Sequence, residues 1–221
     1  MKKWEELPEK LQIEEVREYY DALQLHRGGL LAKRIFDIIV SGVLPILLVL
    51  SILIKLDSPG PVMFRQVRVT TYGKEFRIFK FRTMVNHADK MGSQVTTKGD
   101  ARITRMGKLL RGCRLDELPQ LLNILKGEMT FVGTRPEVPK YVQHYTNEMK
   151  ATLLLPAGVT SRASIEYKDE ERLLENAENA DEVYVQQVLP EKMEYNLEAI
   201  KNFSFFEDIK TMFATVAAVI K

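Results

Sequence analysis

The sequence is poor in the residue types on which disulfide-rich and zinc-binding proteins depend. Its 221 residues include one cysteine and three histidines. The single Cys113 cannot form an internal disulfide, so nothing in the chain requires an oxidising compartment. The same scarcity excludes a zinc site with the usual Cys and His spacing. An apolar fraction of 45% and a charged fraction of 28% exclude a disordered or collagen-like chain, and the length predicts one domain, alone or with an appendage.

The net charge is also small, +2 in total, but the charges are unevenly distributed along the chain. Residues 55–135 contain 16 Lys and Arg against 7 Asp and Glu, a local net charge of +9, whereas residues 136–221 carry a net −6. A basic block of this size favours an anionic partner, which could be phosphate groups, nucleic acid or a lipid headgroup surface. A solvated basic face without a partner is the alternative.

Long apolar runs are scarce, and the one that exists is short for a membrane span. Residues 38–54 are 17 consecutive uncharged residues, and a helix of that length measures about 25 Å against a hydrocarbon core of about 30 Å. Pro45, near its middle, predicts a bend. Lys33 and Lys55 flank the run, which is typical of a segment whose two ends lie on the same side of a bilayer. We predict a re-entrant helix that dips into one leaflet, breaks near Pro45 and returns; a buried helix of a soluble protein is the alternative.

The rest of the chain is organised around this run. Residues 1–32 are predicted to contain an acidic amphipathic helix that is broken at Arg27-Gly28-Gly29, residues 33–57 the re-entrant helix, and residues 58–221 the remaining domain. That domain is predicted to have short strands at 62–64 and 76–81, a mostly helical stretch at 104–125 with a break near Asp116, and an amphipathic, interfacial helix at 203–220. The predicted fold class is therefore mainly α with a few short β-strands, an α+β fold on one side of a membrane.

Two adjacent carboxylates, Asp116 and Glu117, lie among basic residues, including Arg111. Neighbouring residues of a helix point about 100° apart, so two carboxylates can share a site and take different tasks. One can hold Mg²⁺ together with phosphate oxygens, while the other attacks phosphorus or acts as a base. The alternative is an ordinary helix N-terminus, where acidic residues are favoured by the helix dipole.

Cations that suit phosphate binding lie elsewhere in the sequence. Lys80 and Arg82 stand next to aromatic residues in the stretch IFKFRTM, and Arg135 precedes Pro136 in a turn. Arginine suits bidentate contact with phosphate, and lysine suits contact as a point charge. Alternatively, Lys80 only flanks the strand and Arg135 only caps a helix. With a membrane-dipping helix and a carboxylate pair, these cations predict phosphoryl chemistry on a lipid.

Several stretches occur together and in a specific order. They are KRIFD (33–37), SPGPVMFRQ (58–66), FKFRTM (79–84), GKLLR (107–111), LDELPQLLNILKGEM (115–129), FVGTRP (131–136) and SFFEDIKTM (204–212). In these stretches the chain resembles the bacterial sugar transferase family, the small monotopic polyprenyl-phosphate glycosyl-1-phosphate transferases. The resemblance covers about residues 33–215 and is most specific between Lys108 and Pro136.

The resemblance implies a reaction and a location. A UDP-sugar would donate sugar-1-phosphate to undecaprenyl phosphate at the cytoplasmic face of the bacterial inner membrane, releasing UMP and starting a surface polysaccharide or glycoconjugate. It implies that Asp116 is the nucleophile and forms a phosphosugar–enzyme intermediate, and that Glu117 helps to hold Mg²⁺. Lys80, Arg111 and Arg135 match family cations that would neutralise phosphate charge, so the predicted substrate-binding set is Lys80, Arg82, Arg111 and Arg135. Residues 58–221 would then form a cytoplasmic catalytic domain.

The sequence departs from the family pattern in three places after the carboxylate pair. Thr134 replaces the first proline of the usual FVGPRP, residues 155–161 lack a basic residue, and Asn196 lines up with an acid. These departures leave the donor sugar open and support an alternative, a catalytically inactive membrane-surface protein that keeps the fold. Nucleic-acid binding is not expected, because the basic block carries no groove-reading motif and is interleaved with an apolar membrane segment. A homo-oligomer remains open.

Overall fold

The structure is a computed structural model that describes residues 2–40, 44–88, 91, 100–168 and 179–220. Within these residues the chain is mostly helical with four short strands, which confirms the predicted α+β class. The helices are α1 (Glu14–Leu25), α2 (Arg27–Val40), α3 (Leu44–Asp57), α4 (Arg105–Gly112), α5 (Leu121–Leu125), α6 (Pro139–Val142), α7 (Arg162–Glu166), α8 (Ala180–Val183), α9 (Leu189–Lys201) and α10 (Phe205–Ile220). The strands are β1 (Met63–Val69), β2 (Glu75–Phe81), β3 (Met129–Val132) and β4 (Ala157–Thr160). Short 3₁₀ helices cover Trp4–Glu6, Glu9–Leu11, Leu115–Gln120 and Glu148–Leu154, and Tyr184–Val188 forms a π-helical turn.

The N-terminal segment packs into the largest hydrophobic core. Two 3₁₀ turns precede α1, which buries its apolar face against residues of α9 and of the 3₁₀ helix Glu148–Leu154. The predicted break at Arg27-Gly28-Gly29 is wrong: the helix is interrupted at His26, and both glycines lie in the first turn of α2. A glycine costs about 1 kcal/mol in a helix, which tertiary packing can outweigh.

The apolar run is divided between two helices. Helix α2 ends at Val40 and α3 begins at Leu44, so Pro45 lies in the first turn of α3, where a proline removes no hydrogen bond of the helix. Residues 41–43, which adjoin the predicted break, lie outside the described residues. Across the described ranges, no helix is both long enough and apolar enough to cross a membrane.

Two small sheets support the centre of the molecule. Strands β1 and β2 form an antiparallel hairpin in which Met63 pairs with Phe81 and Val69 with Glu75. The first strand is thus longer than the predicted 62–64, because it pairs along the whole of β2. Strands β3 and β4, which were not predicted, form a parallel pair.

The stretch predicted to be helical at 104–125 is helical and interrupted, as expected. Helix α4 ends at Gly112, and Arg114 adopts the left-handed conformation with φ 55°. The 3₁₀ helix Leu115–Gln120 follows and continues into α5. The left-handed residue turns the chain so that the 3₁₀ helix packs against β2.

Candidate active site

The two adjacent carboxylates lie in the 3₁₀ helix Leu115–Gln120, and each residue is only 8% exposed. A 3₁₀ helix has about three residues per turn, so consecutive side chains diverge by about 120°. Asp116 and Glu117 therefore meet different surroundings although they are neighbours in the sequence. This divergence gives the two carboxylates different electrostatic environments.

Glu117 is the anion of a buried ion-pair cluster. Its Oε1 accepts a hydrogen bond from Lys80 Nζ at 3.0 Å and another from Arg135 Nη2, and its Oε2 accepts from Arg135 Nη1 at 3.3 Å. Burial alone would raise the pKa of Glu117, but the ion pairs with Arg135 and Lys80 outweigh it and hold the pKa well below its usual value. Glu117 is therefore a permanent anion that fixes two cations.

Asp116 has no such partner: its carboxylate forms no hydrogen bond or ion pair with any residue that the structure describes. Burial raises the pKa of Asp116, while Lys80, Arg111 and Arg135 oppose that rise through their charges. The Asp116 carboxylate can therefore contact a substrate without first losing a partner among the described residues, whereas Glu117 would have to give up a contact with Lys80 or Arg135.

The strand alternation of β2 brings Lys80 to the carboxylates. Phe76 and Ile78 face the hydrophobic cluster beside α5, and the period of two places Lys80 on the same face of the strand. Asn123, which is fully buried in α5, fastens this strand by accepting from Phe79 N at 2.9 Å and donating to the Arg77 carbonyl at 3.1 Å. Sequence reasoning missed Asn123, because an amide inside a helical pattern gives no sign of a strand partner.

Arg135 reaches Glu117 from the end of the parallel pair. Gly133 and Gly158 let the chains after β3 and in β4 approach closely, since a Cβ atom on Gly158 would lie 2.2 Å from the Gly133 carbonyl oxygen. Beyond this contact, Arg135 Nη1 donates to the Val159 carbonyl at 3.4 Å as well as to Glu117. The predicted turn at FVGTRP thus delivers one guanidinium to the carboxylate pair.

Arg82 lies in a different environment from the other predicted cations. It is 6% exposed, and its guanidinium donates to the Pro59 carbonyl at 2.7 Å and to both the carbonyl and the hydroxyl of Ser58. These contacts hold the turn that follows α3, in which Gly60 has a φ of 126°. The contact of Arg82 with substrate stays a prediction.

The remaining predicted residues take different positions. Arg111 lies in the last turn of α4, is half-buried and acts on the Asp116 carboxylate through its charge. Pro45 lies in the first turn of α3, a helix whose Leu47 and Ile54 belong to the hydrophobic cluster that also contains Phe81 and Leu110. One further cation, Arg68 in β1, has its pKa lowered by burial and lies within electrostatic range of Arg135 and Glu117; the strand was predicted too short to include it.

A separate cavity of about 830 Å³ lies on the other side of β3. Its wall includes Lys33 and Asp37 of α2 and Asp208 of α10, but none of Lys80, Asp116, Glu117 and Arg135. Lys33 forms a salt bridge with Asp208 at 2.5 Å, and Asp37 accepts from the Thr130 hydroxyl at 2.7 Å. These buried contacts attach α2 to α10 and to β3, and they give the KRIFD stretch a structural role.

Comparison with known proteins agrees with the motifs. A family model described as bacterial sugar transferase matches residues 29–221. The chain belongs to the bacterial sugar transferase family. This confirms the resemblance predicted from the motifs.

Relatives within the bacterial sugar transferase family carry names for related reactions. The UDP-N-acetylgalactosamine-undecaprenyl-phosphate N-acetylgalactosaminephosphotransferase of Aeromonas hydrophila is 36% identical over 179 residues, which are 80% of this chain and 39% of that protein. The UDP-glucose:undecaprenyl-phosphate glucose-1-phosphate transferase of Klebsiella pneumoniae is 37% identical, over 83% of this chain and 39% of that protein. The protein of the same name from Caulobacter vibrioides is 33% identical, over 86% of this chain and 70% of that protein. The chain spans about two fifths of the length of the Aeromonas and Klebsiella relatives.

The carboxylate pair fits a magnesium ion that takes most of its ligands from elsewhere. No cluster of three or more Asp, Glu, His or Cys that could hold a metal occurs in the described part of this chain. Among the described residues, however, Asp116 has no partner, and Glu117 Oε2 accepts a hydrogen bond from Arg135 alone. These are hard oxygen donors, and Mg²⁺ is commonly held by one or two carboxylates together with water and substrate phosphates.

Proposed function

We propose that this protein is a phosphoglycosyl transferase that moves sugar-1-phosphate from a UDP-sugar to undecaprenyl phosphate through a covalent intermediate on Asp116. The observation that carries the proposal is the contrast between the two carboxylates: Glu117 is fixed by Lys80 and Arg135, and Asp116 is unpaired beside the same cations. The names of the relatives support the two substrates, and because they include both glucose and N-acetylgalactosamine donors, the sugar is left open.

The reaction takes two displacements at one phosphorus atom. In the first, an Asp116 carboxylate oxygen attacks the phosphorus that bears the sugar, and the bond from that phosphorus to the bridging oxygen breaks. UMP leaves with the electron pair, and the sugar-1-phosphate is bound to Asp116. In the second, a phosphate oxygen of undecaprenyl phosphate attacks the same phosphorus, the bond to Asp116 breaks, and the polyprenyl diphosphate sugar is released. Such a path is expected to give ping-pong kinetics.

The cations act on the charge that develops during both steps. Lys80 and Arg135 are held in place by Glu117 before substrate arrives, so little reorganisation is needed to stabilise the phosphate oxygens. Arg111 adds positive charge near the Asp116 carboxylate. Glu117 is the residue we expect to hold Mg²⁺, which would supply further charge neutralisation to the diphosphate when bound.

Association with one face of the bacterial inner membrane fits the surface of the helices. Helix α3 buries Leu47 and Ile54 but exposes several large apolar side chains. Helices α2 and α10 also expose large apolar side chains. The exposed residues are Leu31, Ile35, Ile38, Leu48, Val49, Ile52, Leu53, Leu56, Phe206, Phe213 and Val216. Apolar surface of this extent marks a contact with a membrane or a protein partner. It supports the proposal that α2 and α3 form a re-entrant pair, broken near Pro45, on the cytoplasmic side.

The proposal is tested by incubating the purified protein with undecaprenyl phosphate, Mg²⁺ and a panel of UDP-sugars, and measuring UMP. We expect one or a few donors to release UMP, and Asp116→Asn to release none. With a donor labelled in its sugar-bearing phosphate and no acceptor, mass spectrometry should find the phosphosugar on Asp116. The exposed Cys113→Ser variant is the matched control and should keep full turnover. Turnover by Asp116→Asn would contradict the mechanism, and no UMP from any donor would favour an inactive protein that keeps the fold.

A further inference from the structure

A second group of buried ionisable side chains begins at Glu137, two residues after Arg135. It consists of Glu137, Tyr184 and Lys192, which are 6%, 4% and 5% exposed. Glu137 Oε1 accepts a hydrogen bond from the Tyr184 hydroxyl, which in turn accepts one from Lys192 Nζ at 3.1 Å, and Lys192 Nζ lies 3.9 Å from Glu137 Oε1. Buried charges are costly unless they are paired and hydrogen-bonded, and here Glu137 and Lys192 meet both conditions through each other and Tyr184.

The same segment is held from the opposite side by β1. Arg68 Nη1 donates to the Pro136 carbonyl at 3.0 Å, and the backbone N–H of Val69 donates to the Glu137 carbonyl at 3.0 Å. The two carbonyls that follow Arg135 are therefore both fixed by one strand. Because proline also restricts φ at position 136, few backbone rotations are left between Glu137 and Arg135.

Electrostatic interactions also connect Glu137 with Arg135, through Arg68. Arg68 and Arg135 are close enough that Arg135 destabilises the charged form of Arg68, whereas Glu137 stabilises it. Without the Glu137 carboxylate, two guanidinium groups would repel each other and Lys192 would lose its acidic neighbour. The Arg135 side chain is 29% exposed and is held by Glu117, so a displacement of Arg135 would break that contact.

We propose that Glu137, held by Tyr184 and Lys192, is a positioning residue that fixes Arg135 against Glu117 for phosphate binding. The proposal rests on the proposed function, since it assigns Glu137 a role in that reaction. It gives α9 and the π-helical turn Tyr184–Val188, both far from Asp116 in sequence, a role in organising the active site. Replacing the hydrogen-bond partners of metal ligands costs about 10- to 100-fold in affinity or activity, and we expect the lower end of that range for Glu137.

The test is a double-mutant cycle in which UMP release is measured for four proteins: wild type, Glu137→Gln, Arg135→Ala and the double variant. If Glu137 acts through Arg135, Glu137→Gln lowers kcat/KM about tenfold when Arg135 is present, mainly by raising the KM for the UDP-sugar. In the Arg135→Ala background, the same substitution lowers kcat/KM less than about twofold. A merely structural role would lower kcat/KM by the same factor in both backgrounds, and that result would overturn the proposal.

Two further variants keep the test decisive if Glu137→Gln folds poorly. Tyr184→Phe removes one hydrogen bond to Glu137 and leaves the carboxylate, and it should show the same dependence on Arg135 with a smaller effect. Tyr141→Phe is the matched control: Tyr141 packs against Tyr184 with ring centroids 4.8 Å apart, but its hydroxyl binds Asp181. It should lose some stability and no kcat/KM.

The outcomes also separate this proposal from the proposed function. Additive effects in an enzyme that turns over its UDP-sugar overturn the role of Glu137 and leave the reaction intact. A wild type that turns over no UDP-sugar overturns the proposed function, and the role of Glu137 in that reaction with it.

Discussion

The guanidinium of Arg135 forms a salt bridge with the carboxylate of Glu117, and this pair joins the end of β3 to the 3₁₀ helix that also holds Asp116. Lys80 adds a second cation to the same carboxylate oxygen. Two of the cations near Asp116 are thus assembled before any substrate binds. The charge of Glu117 is the element on which this assembly depends.

Glu117→Gln should therefore reduce both stability and activity. Without the carboxylate, Lys80 and Arg135, whose side chains are 20% and 29% exposed, lose the buried anion that they share, and breaking a buried pair costs about 3 kcal/mol. Denaturant unfolding should show this loss, and UMP release should be abolished. Asp21→Asn is the matched control, since it breaks the Arg17–Asp21 pair, whose side chains are 45% and 58% exposed; it should cost about 0.5 kcal/mol or less. Equal losses in the two variants would show that the cluster is not buried in solution.

Asp116→Asn should behave in the opposite way with respect to stability. Burial raises the pKa of Asp116, so its charge is unfavourable in the folded state, and its carboxylate has no partner to lose among the described residues. We expect the variant to unfold at the same or a higher temperature than the wild type while it releases no UMP. A marked loss of stability would mean that Asp116 is structurally engaged and would count against its role as the nucleophile.

Chelation of divalent cations should stop turnover without unfolding the protein. The negative charge of Glu117 is already neutralised by Lys80 and Arg135, so the folded state does not need a metal to balance it. With EDTA we expect UMP release to cease, the unfolding temperature to stay unchanged, and added Mg²⁺ to restore the rate. A fall in unfolding temperature on chelation would point instead to a structural metal.

Gly158→Ala should destabilise the parallel pair that carries Arg135. Its Cβ would lie 2.2 Å from the Gly133 carbonyl oxygen and 2.3 Å from the Gly133 nitrogen, so the backbone would have to move. We expect a loss of about 2 kcal/mol in denaturant unfolding and a higher KM for the UDP-sugar. Gly28→Ala is the control, because nothing lies within 4 Å of its Cβ and alanine favours the helix. It should be neutral or stabilising; unchanged stability in Gly158→Ala would refute the close approach.

Arg82→Lys should affect the fold more than the substrate. A lysine cannot reproduce the contacts that the guanidinium makes with Ser58 and Pro59, so the turn after α3 should lose about 1 to 3 kcal/mol. The KM for the UDP-sugar should rise less than in Arg135→Lys. If KM rises more in Arg82→Lys at unchanged stability, the predicted contact of Arg82 with substrate is supported instead.

Much of the site could be predicted because its signals are local. The stretch from Leu115 to Met129 and the FVGTRP turn are continuous in sequence, so their residue types and spacing were sufficient to predict the carboxylate pair and its cations. The interruption near Asp116 was also predictable, because Pro119 and the acidic residues before it mark a helix start. The break at Gly28-Gly29 was wrong, because packing of α2 outweighs the local cost of glycine.

The motifs alone predicted the family, the fold class and the residues that could carry phosphoryl chemistry. The pairing of these residues follows from the tertiary structure: among the described residues Glu117 is paired and Asp116 is not, Arg82 holds a turn, and Asn123 fastens the strand that carries Lys80. The physical reason is that pairing and burial depend on groups far apart in the chain. Glu117 lies 37 residues from Lys80 and 18 from Arg135, and no local pattern encodes which of two adjacent carboxylates will meet them.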